Sequence, residues 1–136
     1  NSNYQFISRD DFSGTHKKEL SLWHESEISV PSDSSYIKSG SGMASTINIA
    51  SEMQSYTLTD RGTWIAFQNK NNLDILFEKD KSLFNPYGII AVSPKKFPHV
   101  EFEKSIRFIE WVLKGRGNNI ISNYTIEGQK LFFTYN

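Results

Sequence analysis

A cationic fork, two acids, a Ser-Gly-Thr triplet and a histidine crowd the stretch SRDDFSGTHKKE, from Ser8 to Glu19. These residue types suit three kinds of chemistry. Ser13 or Thr15, placed ahead of a helix, would cap its first amides. The same amides, with the hydroxyls and the positive end of the helix dipole, suit a small oxyanion, and Gly14 lets the backbone come close. Drawing a dianion out of water is so costly that the site must return many hydrogen bonds. Arg9 would add a planar fork matched to tetrahedral oxygens, and Asp10 or Asp11 would orient it by pairing. Third, Ser13, His16 and Asp11 have the types of a nucleophile, its base and an orienting acid. Against that hydrolase reading, the G-x-S-x-G elbow is absent and no oxyanion loop is identifiable. His16, His24 and His99 lack the spacing of a zinc motif, although His99 and Glu101 would face one way on a strand, so no metal is expected.

The elements that must position these residues alternate. YQFIS, Tyr4 to Ser8, has the alternation of a short strand. A helix carrying Leu20 and Trp23 on one side follows, ending in the loop around Val30-Pro31-Ser32. SDSSYIKSGSG, Ser32 to Gly42, reads as loop, and Met43, Ile47 and Ala50 then repeat at helical spacing. SYTLT, Ser55 to Thr59, is rich in strand formers, and Thr59 is placed to cap a third helix through Trp64 and Phe67. LDILFE (Leu73 to Glu78) and YGIIAVS (Tyr87 to Ser93) read as strands, the second buried on both faces. Phe102, Ile106, Ile109 and Leu113 mark an amphipathic helix that stops near Gly115 and Gly117, and a short helix with Ile120, Ile121 and Tyr124 comes after it. Such alternation predicts an α/β domain, a mixed sheet flanked by helices. Asn85-Pro86 favours a turn and a crossing point.

Composition narrows the function. The 136 residues suffice for one domain with a core, and 14% aromatic content speaks against disorder. Basic and acidic residues both number 15, and no basic block occurs, so nucleic-acid binding is disfavoured and any anion needs a local site. Without cysteine there are neither disulfides nor thiolate metal sites, and the compartment stays open. No apolar run is long enough to span a bilayer. The start lacks Met and a charged-then-apolar leader, which suits a processed or trimmed chain, with Asn1-Ser2-Asn3 in part a cloning remnant.

Five separated blocks carry a family likeness: FISRDDFSGTHKKELSLW, GSGMASTINIAS, YTLTDRGTW, LFNPYGIIAVSP and HVEFEKSIRFIEWVLKGRGNNII. Together, from Phe6 to Phe133, they resemble the latter part of the TupA-type tungstate-binding receptors of ABC importers. The resemblance implies one lobe of a two-lobed periplasmic-binding-protein fold (type II) that closes on its ligand. Residues 4–84 would be the second anion-binding lobe. Residues 85–136 would be a return segment whose helices pack on an amino-terminal lobe with a Thr/Ser-rich anion loop that nothing here matches. Arg9, Ser13, Gly14 and Thr15 would bind the oxyanion, with Thr59, Asp60 and Arg61 as second-rank cleft residues. The implied function is non-enzymatic capture of tungstate or molybdate, without a cofactor, for an ABC permease. The implied location is periplasmic or extracellular, with attachment by lipidation compatible. Arginine followed by Ser-Gly-Thr is shared with phosphate receptors, which makes phosphate the alternative ligand; a ligand-sensing regulator domain of the same fold is a further one. The family pattern SRGDDSGTHK has glycine and aspartate where this chain has Asp10 and Phe12. Missing cover on the helix from Phe102 to Leu113 predicts an exposed apolar face, repacked or used in a dimer.

Overall fold

Ile7 is fully buried, and a parallel sheet is organised around it. In the computed structural model, which describes residues 4–134, β1 (Phe6–Ser8) lies between β2 (Tyr36–Lys38) and β3 (Tyr56–Thr57). Phe6 stands opposite Tyr36 on one side and Tyr56 on the other. Parallel neighbours need a crossover; α1 (Gly14–Glu25) joins β1 to β2, and α2 (Met43–Glu52) joins β2 to β3. α3 (Arg61–Ala66) follows β3. Met43, Ile47 and Ala50 form the buried stripe of α2 as their spacing predicts, and they meet Ile7, Tyr36 and Ile65 in the core. Burying a side chain such as Ile7 or Ile47 contributes ~1.5–3 kcal/mol.

The chain divides into two compact units, one up to Phe84 and one from Asn85. The second contains α4 (Phe102–Lys114), α5 (Arg116–Asn123) and a hairpin of β4 (Thr125–Ile126) and β5 (Gln129–Lys130). Gly115 ends α4 and starts α5. A Cβ at Gly117 would lie 2.5 Å from Trp111 Cε3, so only glycine lets α5 approach that ring without displacing it. Glu127 and Gly128 turn the hairpin with φ of 51° and 74°, the positive pair that a two-residue type I′ turn requires.

Several expectations are corrected. β2 lies within Ser32 to Gly42, where surrounding Ser and Gly hid a strand that exists because Tyr36–Lys38 find a ladder with β1. LDILFE and YGIIAVS form no strand; Ile90 is 89% exposed, and no described segment offers either one a ladder. The three-stranded sheet is parallel throughout, and the antiparallel pair is a separate sheet that belongs to the second unit. The face that α1 buries holds His16 and Glu19, while Leu20 stays exposed. Asp60, not Thr59, caps α3, which ends before Phe67. Asn1-Ser2-Asn3 lies outside the described residues.

Candidate anion site

In a parallel sheet every loop that leaves a carboxyl end lies along one edge, and ligands bind there where the connections reverse direction. The chain leaves β1 for β2 on one side and then crosses to β3 on the other, so the reversal falls between β1 and β3. Arg9–Ser13 leaves β1 at that point, and Leu58–Asp60 leaves β3. The sheet thus brings Arg9, Ser13, Gly14 and Thr15 to the same edge as Thr59, Asp60 and Arg61.

The first loop is held by its own side chains. Arg9 Nε donates to Asp11 Oδ2 at 3.0 Å and Nη2 bonds the same oxygen, while Asp11 Oδ1 accepts the Ser13 amide at 3.1 Å. Asp11 therefore orients Arg9 and leaves Nη1 outside the pair. Hydrogen bonds from Ser13, reinforced by the Arg9 guanidinium, hold the Asp11 carboxyl down at about 2 against the opposing effect of burial. Asp10 turns elsewhere, with Oδ2 3.4 Å from Lys38 Nζ and Oδ1 3.7 Å from His16 Nε2. Asp10 and Phe12 have φ of 47° and 56°. Asp10 therefore keeps the left-handed backbone for which the family's glycine is the easier residue.

Of the two expected candidates, Ser13 and not Thr15 is the N-cap of α1; its Oγ accepts the His16 amide at 3.3 Å. Its carbonyl accepts the Lys17 amide. The Gly14 and Thr15 amides belong to the first turn, which has no carbonyl of its own helix to offer them. Two amides, the Thr15 hydroxyl and an oriented guanidinium suit an oxyanion.

The hydrolase geometry is not assembled. His16 Nδ1 accepts the Phe12 amide at 3.1 Å and Nε2 faces Asp10, so the imidazole is not placed to take a proton from Ser13. On the second loop, Asp60 accepts the Thr63 amide at 2.8 Å and the Thr63 hydroxyl at 2.7 Å. Thr59 Oγ1 donates to the Asp60 carbonyl, and Arg61 Nη1 bonds Glu78 at 2.5 Å. Among the described residues no cluster of His, Asp and Glu could hold a metal.

Sequence reasoning missed a buried acid behind the loop. Glu19 accepts Ser8 Oγ at 2.8 Å, Tyr36 Oη at 2.5 Å and Trp23 Nε1 at 3.3 Å, tying α1 to β1 and β2. Burial, then the bond to Glu19, pushes the Tyr36 phenol up to about 12. Phe6 stacks on Tyr36 and meets Trp23 edge-on, so it contacts two of the three donors. The available signal was the spacing of His16, Glu19 and Trp23 on one helical face.

Comparison with known proteins settles the family. A model described as a PBP superfamily domain matches residues 1–116. The chain belongs to the PBP superfamily. Among curated relatives of this PBP chain, the tungstate-binding protein TupA of Peptoclostridium acidaminophilum is 44% identical over 131 residues, covering 95% of this chain and 46% of that protein. The structure of the tungstate ABC transporter from Geobacter sulfurreducens superposes with a TM-score of 0.74 at 49% identity, covering 89% of this chain and 51% of that one. TupA from Desulfovibrio alaskensis G20 gives a TM-score of 0.70 at 38% identity, covering 95% and 54%. The PBP chain thus spans about half the length of the relatives it matches.

Proposed function

We propose that this chain is the lobe of an ABC-importer solute-binding protein that captures a bare tetrahedral dianion, tungstate first and molybdate next, through Arg9, Ser13, Gly14 and Thr15. Thr59, Asp60 and Arg61 border the cleft from the β3 side. The observation that carries this reading is the fate of the two loop acids. At neutral pH phosphate keeps a proton that needs an acceptor, whereas tungstate and molybdate need only donors. Asp11 spends both oxygens on Arg9 and Ser13, and Asp10 faces His16 and Lys38. Both acids are thus already engaged within the loop, which favours the bare dianion over the phosphate alternative. The names of the relatives support tungstate in particular and delivery to an ABC permease, and a periplasmic location fits that role. Capture requires no bond making, and no cofactor enters it.

Calorimetry with tungstate, molybdate, sulfate and phosphate, on this chain and on the full-length product of its gene, tests the reading. Tungstate and molybdate should bind and phosphate should not, with Arg9→Ala abolishing the response. This chain alone should bind more weakly than a full-length product carrying the second set of donors. Sulfate, equally bare but smaller, reports how far size adds to charge. Tight phosphate binding with no heat from tungstate would overturn it. Of the face expected on α4, Phe102, Ile106 and Ile109 are half-buried and Leu113 is exposed, and Phe108 and Trp111 are exposed as well. We further propose that this chain self-associates through that face, and a single monomer boundary in sedimentation at all concentrations would refute that part.

A further inference from the structure

We infer that His16 is a positioning residue of the oxyanion loop, whose neutral imidazole holds the Phe12 amide and with it the backbone that presents Arg9. The inference rests on the anion reading above for its functional consequence, but its structural content stands on the loop alone.

Two of the five residues from Arg9 to Ser13 have positive φ. Such backbone persists only where surrounding contacts over-determine it. Three amides supply those contacts: Asp10 N donates to Ser8 Oγ at 3.2 Å, Ser13 N to Asp11 Oδ1 at 3.1 Å, and Phe12 N to His16 Nδ1 at 3.1 Å. The Phe12 side chain is 78% exposed and meets the His16 ring in a tilted contact, with centroids 5.8 Å apart, and its amide adds the hydrogen bond. His16 is the third residue of α1 and 3% exposed, and its own amide is capped by Ser13 Oγ. The pair is a capping box in which imidazole at the third helical position replaces the usual Glu or Gln and accepts the amide just before the cap.

An imidazole at that position carries a constraint that Glu or Gln does not. Nδ1 accepts only while it has no proton; the doubly protonated ring is a donor at both nitrogens. The groups facing His16 are the Asp10 carboxylate at Nε2, Lys38 on the far oxygen of Asp10, and Glu19 one turn along α1, committed to Ser8, Tyr36 and Trp23. An open depression of about 540 Å³ is lined by Asp10, Phe12, His16, Tyr36 and Lys38 among others. When the ring takes its second proton Nδ1 becomes a donor, so the Phe12 amide loses its acceptor, the loop loosens, and oxyanion affinity falls.

Nitrogen-15 NMR on this chain without anion reads the structural step. The His16 ring nitrogens should report hydrogen on Nε2 while the Phe12 amide is bonded to Nδ1, and the Phe12 amide should shift together with the ring when a second proton is added. Tungstate calorimetry on the full-length gene product at pH 8 and pH 6 reads the consequence. His16→Leu should weaken binding about tenfold or more, since the Phe12 amide loses its acceptor inside the loop, and should flatten the pH profile. His16→Asn, which places an oxygen near the Nδ1 position, should recover most of that loss and stay flat with pH. A Phe12 amide indifferent to His16 titration, or a His16→Leu protein with wild-type affinity and pH profile, would overturn the inference. If the wild type binds no tungstate, the anion reading fails, and the NMR coupling still decides the role of His16.

Discussion

Replacing Glu19 should show whether the sheet is held by its buried acid as much as by Ile7 and Ile47. Glu19 is 4% exposed, and its carboxylate takes three donors, two of them hydroxyls from different strands. Glu19→Leu keeps the site apolar and filled but strands those donors. Ser8 is fully buried and Tyr36 is 9% exposed, so water reaches neither easily; Trp23 is only partly buried and finds solvent. A buried donor left unpaired costs ~1–3 kcal/mol. Ser8 still accepts the Asp10 amide, which puts it at the low end, so the sum is about 3 kcal/mol. Glu19→Gln keeps an oxygen for Tyr36 and turns an amide toward Ser8, whose hydroxyl rotates to accept it. It loses charge assistance but no longer buries a charge, so it should cost about 1 kcal/mol. Urea unfolding followed by tryptophan fluorescence measures both, and a cycle with Tyr36→Phe isolates the pair. A Glu19→Leu protein within 0.5 kcal/mol of wild type would refute the claim that this acid ties α1 to the sheet.

Asp11→Asn keeps an acceptor for the Ser13 amide but sets an NH₂ or a neutral oxygen against the Arg9 fork, and it should weaken tungstate binding by about tenfold or more in calorimetry. Because the folded-state carboxyl sits near 2, below its ordinary 3.8, the stability it contributes is present above pH 3.8 and is lost as pH falls toward 2, a loss that acid titration of the Asn variant should lack. Tyr36 runs the other way: its phenol is raised from 10.0 to about 12, so its contribution is full below pH 10 and is lost as pH rises toward 12. Absorbance at the tyrosinate band should show a step near pH 12 that Tyr36→Phe removes. Gly117→Ala forces its Cβ against Trp111 and should destabilise the second unit by ~1–3 kcal/mol, read as earlier loss of the α4 and α5 amides in hydrogen exchange.

What could be read from the residues was what local physics decides. Ser13 as a cap, the stripe of α2 and the break at Gly115 each follow from a few neighbouring side chains, and the loop of Arg9 and Ser13 lay where strand-then-helix order put it. What failed depended on distant partners. Tyr36–Lys38 is a strand because β1 lies beside it, and YGIIAVS is not one here because no described strand does. Periodicity also ranked Leu20 above His16 and Glu19, since hydropathy prices a buried acid without the donors that make its burial tolerable. Asp60 displaced Thr59 as a cap by one residue, a difference that both side chains permit and only the backbone decides.

The polar face of α1 is better understood as one connected structure than as separate exceptions. Tyr36 and Ser8 donate to Glu19, Ser8 in turn accepts the Asp10 amide, and His16, one turn before Glu19, accepts the Phe12 amide. A helix that buried leucine at both positions would stabilise the sheet through area alone and leave the Arg9–Ser13 loop to solvent. Here the same face supplies acceptors to the sheet at one end and to the loop at the other. The strain of two left-handed residues is met by bonds that originate in the core, so a change that loosens Glu19 should also loosen the loop. A Glu19→Gln protein that is nearly wild type in stability but shows a displaced Asp10 amide resonance would demonstrate that link. An Asp10 amide unmoved by the substitution would mean that Ser8 isolates the loop from the acid beneath it.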